Sequence, residues 1–517
     1  MRSLPDINSL SLAEQVAQML VVRASGYLFD HQIQYPHWEP PAAKLQHLLE
    51  MGVGGVILLG GSAGEIALRS QQLQNWAKYP LLIAADIEEG VGQRFSGATE
   101  FPPPMALSAI AQQDLDTATQ YASQMGAVIA QEALAIGIHW VLAPVVDVNN
   151  NPANPVINVR AFGETPEIVS QLTTAFIQGA KKYPVLTAAK HFPGHGDTAT
   201  DSHLDLPVLP HSPERLANIE LPPFRAAIAA GVDAVMSAHL LIPAWDSEYP
   251  ATLSPKILTQ QLRQQLGFER LIVTDALVMG AIANRYGTEE AAVLAVEAGA
   301  DILLMPLLPE AAIQAVCNAV ESDRISKARI RSSVERIWQA KMQVVEYAMP
   351  TLQELALPEA FGTVNKILQQ AQVVYGAVPL NVDAIPTLRN LIVVDNLLNC
   401  NFLSETSPAI ALPNQLGYTT QLIDCHTPVV FDSTQTTLLQ LFIRGNPFRG
   451  SAGLTQIAQD LFKRFLQSGN LQALIVYGSP YVFQEFLPAL PKKIPCLFSY
   501  GQIPAAQLTI MNTLFNL

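Results

Sequence analysis

Between residues 19 and 305 of this 517-residue chain, eight short apolar runs recur, each followed by a longer polar or amphipathic stretch. They lie at 19–24, 53–59, 81–86, 139–144, 186–191, 234–239, 271–275 and 301–305. Several are continuously apolar instead of alternating, the pattern of parallel strands covered on both faces. The intervening stretches 115–134, 164–181 and 255–266 are long enough for crossover helices. Eight strand–helix units in this length predict an α/β chain with an N-terminal (β/α)8 TIM-type barrel. A doubly wound open sheet is the alternative. It would gather polar strand ends at one switch point, whereas here they recur along the chain.

Those polar ends are the next constraint. Asp86 ends the third run, Asp147 follows the fourth, Lys190 and His191 end the fifth, His239 ends the sixth and Asp275 ends the seventh. In a barrel these positions converge on one face, where such folds carry their chemistry. The densest stretch is Lys190-His-Phe-Pro-Gly-His-Gly-Asp-Thr-Ala-Thr-Asp-Ser-His203, with one Lys, three His and two Asp in fourteen residues. Polar groups gathered at the end of a buried strand are costly unless they are paired or used.

Helical segments at 311–320 and 327–345 lead to Met349-Pro-Thr-Leu, which reads as a linker. Beyond it the pattern restarts on a smaller scale, with runs at 391–394, 428–431, 441–443, 473–477 and 496–499 and a helical segment at 454–466. The expected domains are therefore a barrel over 1–348 and a smaller α/β domain over 349–517, the latter without a recognisable motif and with polar residues that read as solvated surface.

With 49% apolar and 14% charged residues, the chain has the composition of a large buried core. A net charge of −14 argues against nucleic acid or an anionic membrane as partner and leaves a small molecule. Cys317, Cys400, Cys425 and Cys496 are scattered without metal-type spacing, as reduced thiols would be. The N-terminal segment has no apolar core of a signal peptide, and the apolar stretch 226–245 is interrupted by Asp233 and His239. A cytoplasmic, soluble protein is expected.

The segment Lys190-His-Phe-Pro-Gly-His-Gly with Asp201-Ser-His203 and Pro207 closely resembles the signature of glycoside hydrolase family 3 β-N-acetylhexosaminidases. Three more segments agree in order: Asp86-Ile-Glu-Glu-Gly-Val-Gly-Gln-Arg-Phe95, Ala143-Pro-Val-Val-Asp-Val148 with Asn158-Val-Arg-Ala-Phe-Gly163, and Ile272-Val-Thr-Asp-Ala-Leu-Val-Met279. The first departs from the family pattern: Glu88-Glu89-Gly90-Val91 stands where many relatives read Glu-Gly-Gly-Arg. Glu89 matters if that position needs a left-handed backbone, and Val91 cannot make an arginine's contacts.

The resemblance implies a retaining exo-β-N-acetylhexosaminidase that needs no cofactor or metal. It implies Asp275 as nucleophile and His203, with Asp201 beside it, as acid/base. Histidine titrates near neutrality, and a carboxylate on its second nitrogen would fix the tautomer. A neutral base also suits an anionic acceptor, so phosphorolysis stays open. Asp86, Arg94, Arg160, Lys190 and His191 are the expected sugar-binding residues. The bland readings are that Asp275 caps the next helix, that Asp201-Ser-His203 is a surface turn, that Lys190 and Asp147 form a structural ion pair, and that His195 braces its turn while His239 lies behind the site. The expected substrate is a peptidoglycan fragment in cell-wall recycling. A β-glucosidase, a metal hydrolase and a non-catalytic sugar-binding relative are the competing classes.

Overall fold

The computed structural model describes residues 4–344, 351–381, 387–427, 435–445 and 456–517. Its first half is built on eight parallel strands: β1 (Leu20–Ser25), β2 (Gly55–Leu59), β3 (Leu82–Ala85), β4 (Trp140–Val141), β5 (Leu186–Phe192), β6 (Ala234–Ser237), β7 (Leu271–Val273) and β8 (Leu303–Leu304). They run in the order β7-β6-β5-β4-β3-β2-β1-β8. A parallel bridge between Val273 and Ile302, with Asp301 N donating to Ile272 O at 2.7 Å, joins the two ends into a ring. That closure removes the doubly wound alternative. All eight predicted runs are strands, and the continuous apolar stretches are buried throughout, as at β3, β5 and β6, because helices cover their outer faces. The helix Leu115–Ala135 starts at Asp114, whose side chain accepts from Thr117 N, and Pro166–Ala180 starts at Thr165 with Pro166 in its first turn.

The second half holds a six-stranded sheet: β9 (Val373–Tyr375), β10 (Leu388–Val394), β11 (Tyr418–Ile423), β12 (Thr436–Ile443), β13 (Leu471–Gly478) and β14 (Cys496–Ser499), in the order β11-β10-β12-β13-β14-β9. All pairs are parallel except β14–β9. The expected domain boundary after 348 and the expected run at 428–431 lie outside the described residues. The helix Pro358–Ala371 packs Val364, Ile367, Leu368 and Ala371 into the barrel's own core cluster, so the barrel side of the interface extends beyond residue 350. Among the described residues no helix is long and apolar enough to cross a membrane.

Candidate active site

The C-terminal ends of the barrel strands carry a connected set of charges with Lys190 at its centre. The Lys190 ammonium, buried within β5, lies 2.8 Å from Asp86 Oδ1 and 2.6 Å from Glu88 Oε1. Arg160 grips the same Glu88 with Nε at 2.9 Å and Nη2 at 2.8 Å, and its Nη1 donates to Val156 O at 3.0 Å. Burial disfavours charge on each of these groups, but their mutual attraction wins. It holds Asp86 and Glu88 below the ordinary carboxylate range and Lys190 above the ordinary ammonium one. Asp86 is the open member, its side chain 37% exposed against 5% for Glu88 and 2% for Lys190. Arg94 donates Nε to Asp86 O at 3.0 Å, with its guanidinium exposed beside that carboxylate.

The proposed Lys190–Asp147 ion pair does not form. Asp147 is already filled: it accepts from His191 Nδ1 at 2.7 Å and from the backbone N–H of His191 at 3.1 Å and of His195 at 2.7 Å. His191 reaches it because β5 is irregular there. Lys190 pairs with Met236 and Phe192 with Ser237, which leaves His191 out of the ladder. A bulge of this kind re-aims one side chain at a strand end.

The loop that follows is pinned at several points. A Cβ on Gly196 would lie 1.7 Å from Val148 O, so only glycine lets the two backbones approach. Asn154 Nδ2 donates to His195 O at 2.8 Å and Gly196 O at 2.9 Å. The His195 ring spans Thr198 Oγ1 and Ser202 Oγ, both at 3.0 Å, and burial pushes it down to about 4, so it braces the loop as a neutral ring. Asp197 is tied to His211 at 2.9 Å and Arg215 at 3.1 Å, which makes it part of the same scaffold.

Past this scaffold, His203 Nδ1 lies 2.9 Å from Asp201 Oδ1, which also accepts the His203 backbone N–H at 2.9 Å. Asp201 is buried and the His203 side chain is 22% exposed, so this is not a surface turn. Donation of Nδ1–H to Asp201 fixes the tautomer and orientation of the ring. The loop docks on the one after β7: Gly280 N donates to His203 O at 3.2 Å, and Arg285 pairs with Asp205 at 2.7 Å.

Asp275 stands just past β7. It does not cap the helix Gly280–Tyr286, whose cap is Met279. Its Oδ1 accepts from Ala276 N at 2.8 Å. Burial raises this carboxyl, but the imidazoles of His239 and His191 and the Ala276 N–H outweigh burial and hold it at about 2. His239 is itself lowered by burial. Its Nε2–H donates to Ala276 O at 3.0 Å, and its Nδ1 lies 2.8 Å from the Thr252 hydroxyl. Both nitrogens are thus engaged, and His239 lines the back of Asp275 as a fixed dipole. Among the described residues no group of three or more His, Cys, Asp or Glu side chains is disposed around one point as metal ligands would be.

Residues 11–340 match the glycosyl hydrolase family 3 N terminal domain, and residues 381–516 match the bacterial glycosyl hydrolase family 3 C-terminal domain. The chain belongs to glycosyl hydrolase family 3. Among solved family 3 structures it is similar to a β-N-acetylglucosaminidase from Paenibacillus sp. str. FPU-7, with a TM-score of 0.81 and 32% identity over 98% of this chain and 97% of that one. It is 37% identical to a β-hexosaminidase of Thiobacillus denitrificans over 54% of this chain and 78% of that protein. It is 35% identical to β-hexosaminidase A of Pseudoalteromonas piscicida over 56% of this chain, spanning only 54% of that longer relative. A β-glucoside phosphorylase shares the fold at a TM-score of 0.83 with 22% identity.

Three features of this family 3 site went beyond the sequence reading. Glu88 is the carboxylate that links Lys190 to Arg160, and its signal was its place two residues after the strand-end Asp86. Arg23, the lone charge in β1, pairs with Glu39 at 3.2 Å and adds its field to that at Asp86. Glu89 is not in the left-handed region. Gly90 takes that role with φ of 106°, so the substitution strains nothing. Instead Glu89 is buried and paired through two hydrogen bonds with Arg444, correcting the expectation that the second domain's polar residues are solvated surface.

Proposed function

We propose that this chain is a retaining exo-β-N-acetylhexosaminidase that removes a terminal non-reducing N-acetylglucosamine through a covalent glycosyl-Asp275 intermediate. The observation that carries the reading is the pairing of two reactive groups on docked loops: an Asp275 carboxylate held ionised at about 2, and a His203 ring whose Nδ1 lies 2.9 Å from the buried Asp201 carboxylate. Similarity to enzymes described as β-hexosaminidases and as a β-N-acetylglucosaminidase supports the sugar assignment.

In the first step Asp275 attacks the anomeric carbon while His203, protonated, gives its Nε2 proton to the departing glycosidic oxygen. The C–O bond to the aglycone breaks as the C–O bond to Asp275 forms, and Asp201 stabilises the imidazolium that donates. In the second step neutral His203 takes a proton from the acceptor, whose oxygen displaces Asp275 with net retention. Asp86, Arg94, Arg160, Lys190 and His191 hold the sugar. Asp86 offers the exposed carboxylate for two hydroxyls, and Lys190 with Arg160 keeps it and Glu88 ionised. A peptidoglycan fragment in cell-wall recycling is the proposed substrate, and the unbridged Cys317, Cys400, Cys425 and Cys496 support a reducing, cytoplasmic setting.

The test is p-nitrophenol release from the β-N-acetylglucosaminide and the β-glucoside by wild type, Asp275→Ala and His203→Ala, in phosphate and in phosphate-free buffer. Turnover of the N-acetyl substrate is expected to fall by about 10⁴-fold or more in Asp275→Ala and by about 10²-fold to 10³-fold in His203→Ala. Preference for the glucoside would reassign the substrate. Glycosyl phosphate as the product would make phosphate the acceptor, and turnover that survives Asp275→Ala would remove the mechanism.

A further inference from the structure

Glu89 and Arg444 tie the barrel site to the second domain. Glu89 is 2% exposed and follows Glu88 directly in the loop after β3. Its carboxylate receives Arg444 Nη2 at 2.7 Å and Nη1 at 3.1 Å. Arg444 stands one residue past β12. The nearby carboxyl Glu100 is pushed up to about 8 by burial and by Glu89 itself, so it is largely protonated at neutral pH and adds little negative charge beside Glu89.

A second contact lies on the neighbouring strand. β13 pairs with β12, Ile443 opposite Gly478, and three residues beyond Gly478 comes Tyr481. The Tyr481 hydroxyl donates to Glu164 Oε1 at 2.7 Å and accepts from Asn149 Nδ2 at 2.8 Å. Asn149 Oδ1 in turn accepts from Asn158 N at 2.9 Å, where φ is 44°. Gly445 lies against Asn158 so closely that a Cβ there would sit 3.1 Å from that residue. Two residues on is Arg160. The C-terminal ends of two adjacent strands of the second sheet thus touch the two barrel loops that carry Glu88 and Arg160, the pair that flanks Lys190.

We infer that the second domain is a positioning element for the sugar site. Arg444, through Glu89, sets the loop that places Asp86 and Glu88, while Tyr481, through Asn149, sets the loop that places Arg160. Neither residue touches the reacting atoms, so their effect falls on sugar binding and not on proton transfer. The inference rests on the function proposed above.

It is tested in the full-length chain with Arg444→Ala, Arg444→Lys, Arg444→Ala combined with Glu89→Ala, and Tyr481→Phe. The readouts are KM and kcat for p-nitrophenyl β-N-acetylglucosaminide, the inhibition constant of N-acetylglucosamine, the pH profile of kcat and the melting temperature. Arg444→Ala is expected to raise KM and the inhibition constant about ten-fold, with the shape of the pH profile unchanged. The double variant removes the unpaired buried carboxylate. Its melting temperature is expected to recover towards wild type while its KM stays raised, and this variant serves if the single one does not fold. Arg444→Lys should recover part of the lost affinity, and Tyr481→Phe should raise KM by a smaller factor. A double variant with wild-type KM overturns the inference and leaves the clamp as adhesion only. A wild type that neither cleaves nor binds N-acetylglucosaminides overturns the proposed function and this inference together. A wild type that does both, matched by its variants, overturns this inference alone.

Discussion

Asp275 keeps its charge against burial because the Ala276 N–H and the His239 and His191 imidazoles all stabilise the ionised form. A carboxyl held at about 2 is ionised across the ordinary assay range, so the proposed nucleophile contributes no acid limb. The expected outcome is that kcat/KM measured from about pH 4 to pH 7 shows no loss attributable to a carboxylate near its ordinary value, and any acid limb there belongs to another group. A limb that disappears when glycosylation no longer depends on Asp275 would contradict this. Strand-end residues such as Asp275, Asp86 and His191 were legible because a charge after an apolar run stands out. Glu88 and Glu89 were not, because adjacent glutamates in a loop look solvated, and their partners Lys190, Arg160 and Arg444 are distant in sequence.

Elements decide where the dyad sits. The His203 loop has no regular structure of its own and is located by contacts with the scaffold below it and with the start of the helix Gly280–Tyr286. A Cβ on Gly280 would lie 2.9 Å from His203 O and 3.1 Å from Leu204 O, both backbone atoms that must shift to admit it. Gly280→Ala is therefore expected to lower kcat by about ten-fold to a hundred-fold through displacement of the dyad, with a melting temperature near wild type. Steady-state kinetics beside a thermal melt decide it, and an unchanged kcat would show that the loop tolerates the shift. At this scale the barrel strands were readable as continuous buried runs. β9 and β11 were not, since β9 is largely exposed and β11 is Thr- and Gln-rich with only its ends buried. The expected helix at 255–266 is present as Lys256–Gln265 but is wound wider, with Leu266 N reaching back to Gln261 O. Amphipathic spacing alone does not separate those two windings.

Across the whole molecule, the end of the barrel opposite the site carries a second buried lysine. Lys341 donates Nζ to Gln18 Oε1 at 2.6 Å and lies 5.3 Å from the centre of the Trp338 ring, with no carboxylate partner in those contacts, and burial pushes it down to about 7. An unfolded chain keeps this lysine protonated to about 10.4, so between those two values unfolding takes up a proton and stability rises with pH. Urea unfolding of wild type and Lys341→Met at stepped pH should show the wild type gaining on the variant by about 1.4 kcal/mol per unit through that window. Parallel curves would mean that the amine is neutral or solvated throughout. The clamp between the domains has a consequence for synthesis. Glu89 leaves the ribosome 355 residues ahead of Arg444, so the nascent barrel can close its ring at β8 while that loop still holds an anion without its counter-ion. On that order of synthesis, the proposed sugar site is expected to be completed only once β12 has emerged and docked, although most of its residues are made first.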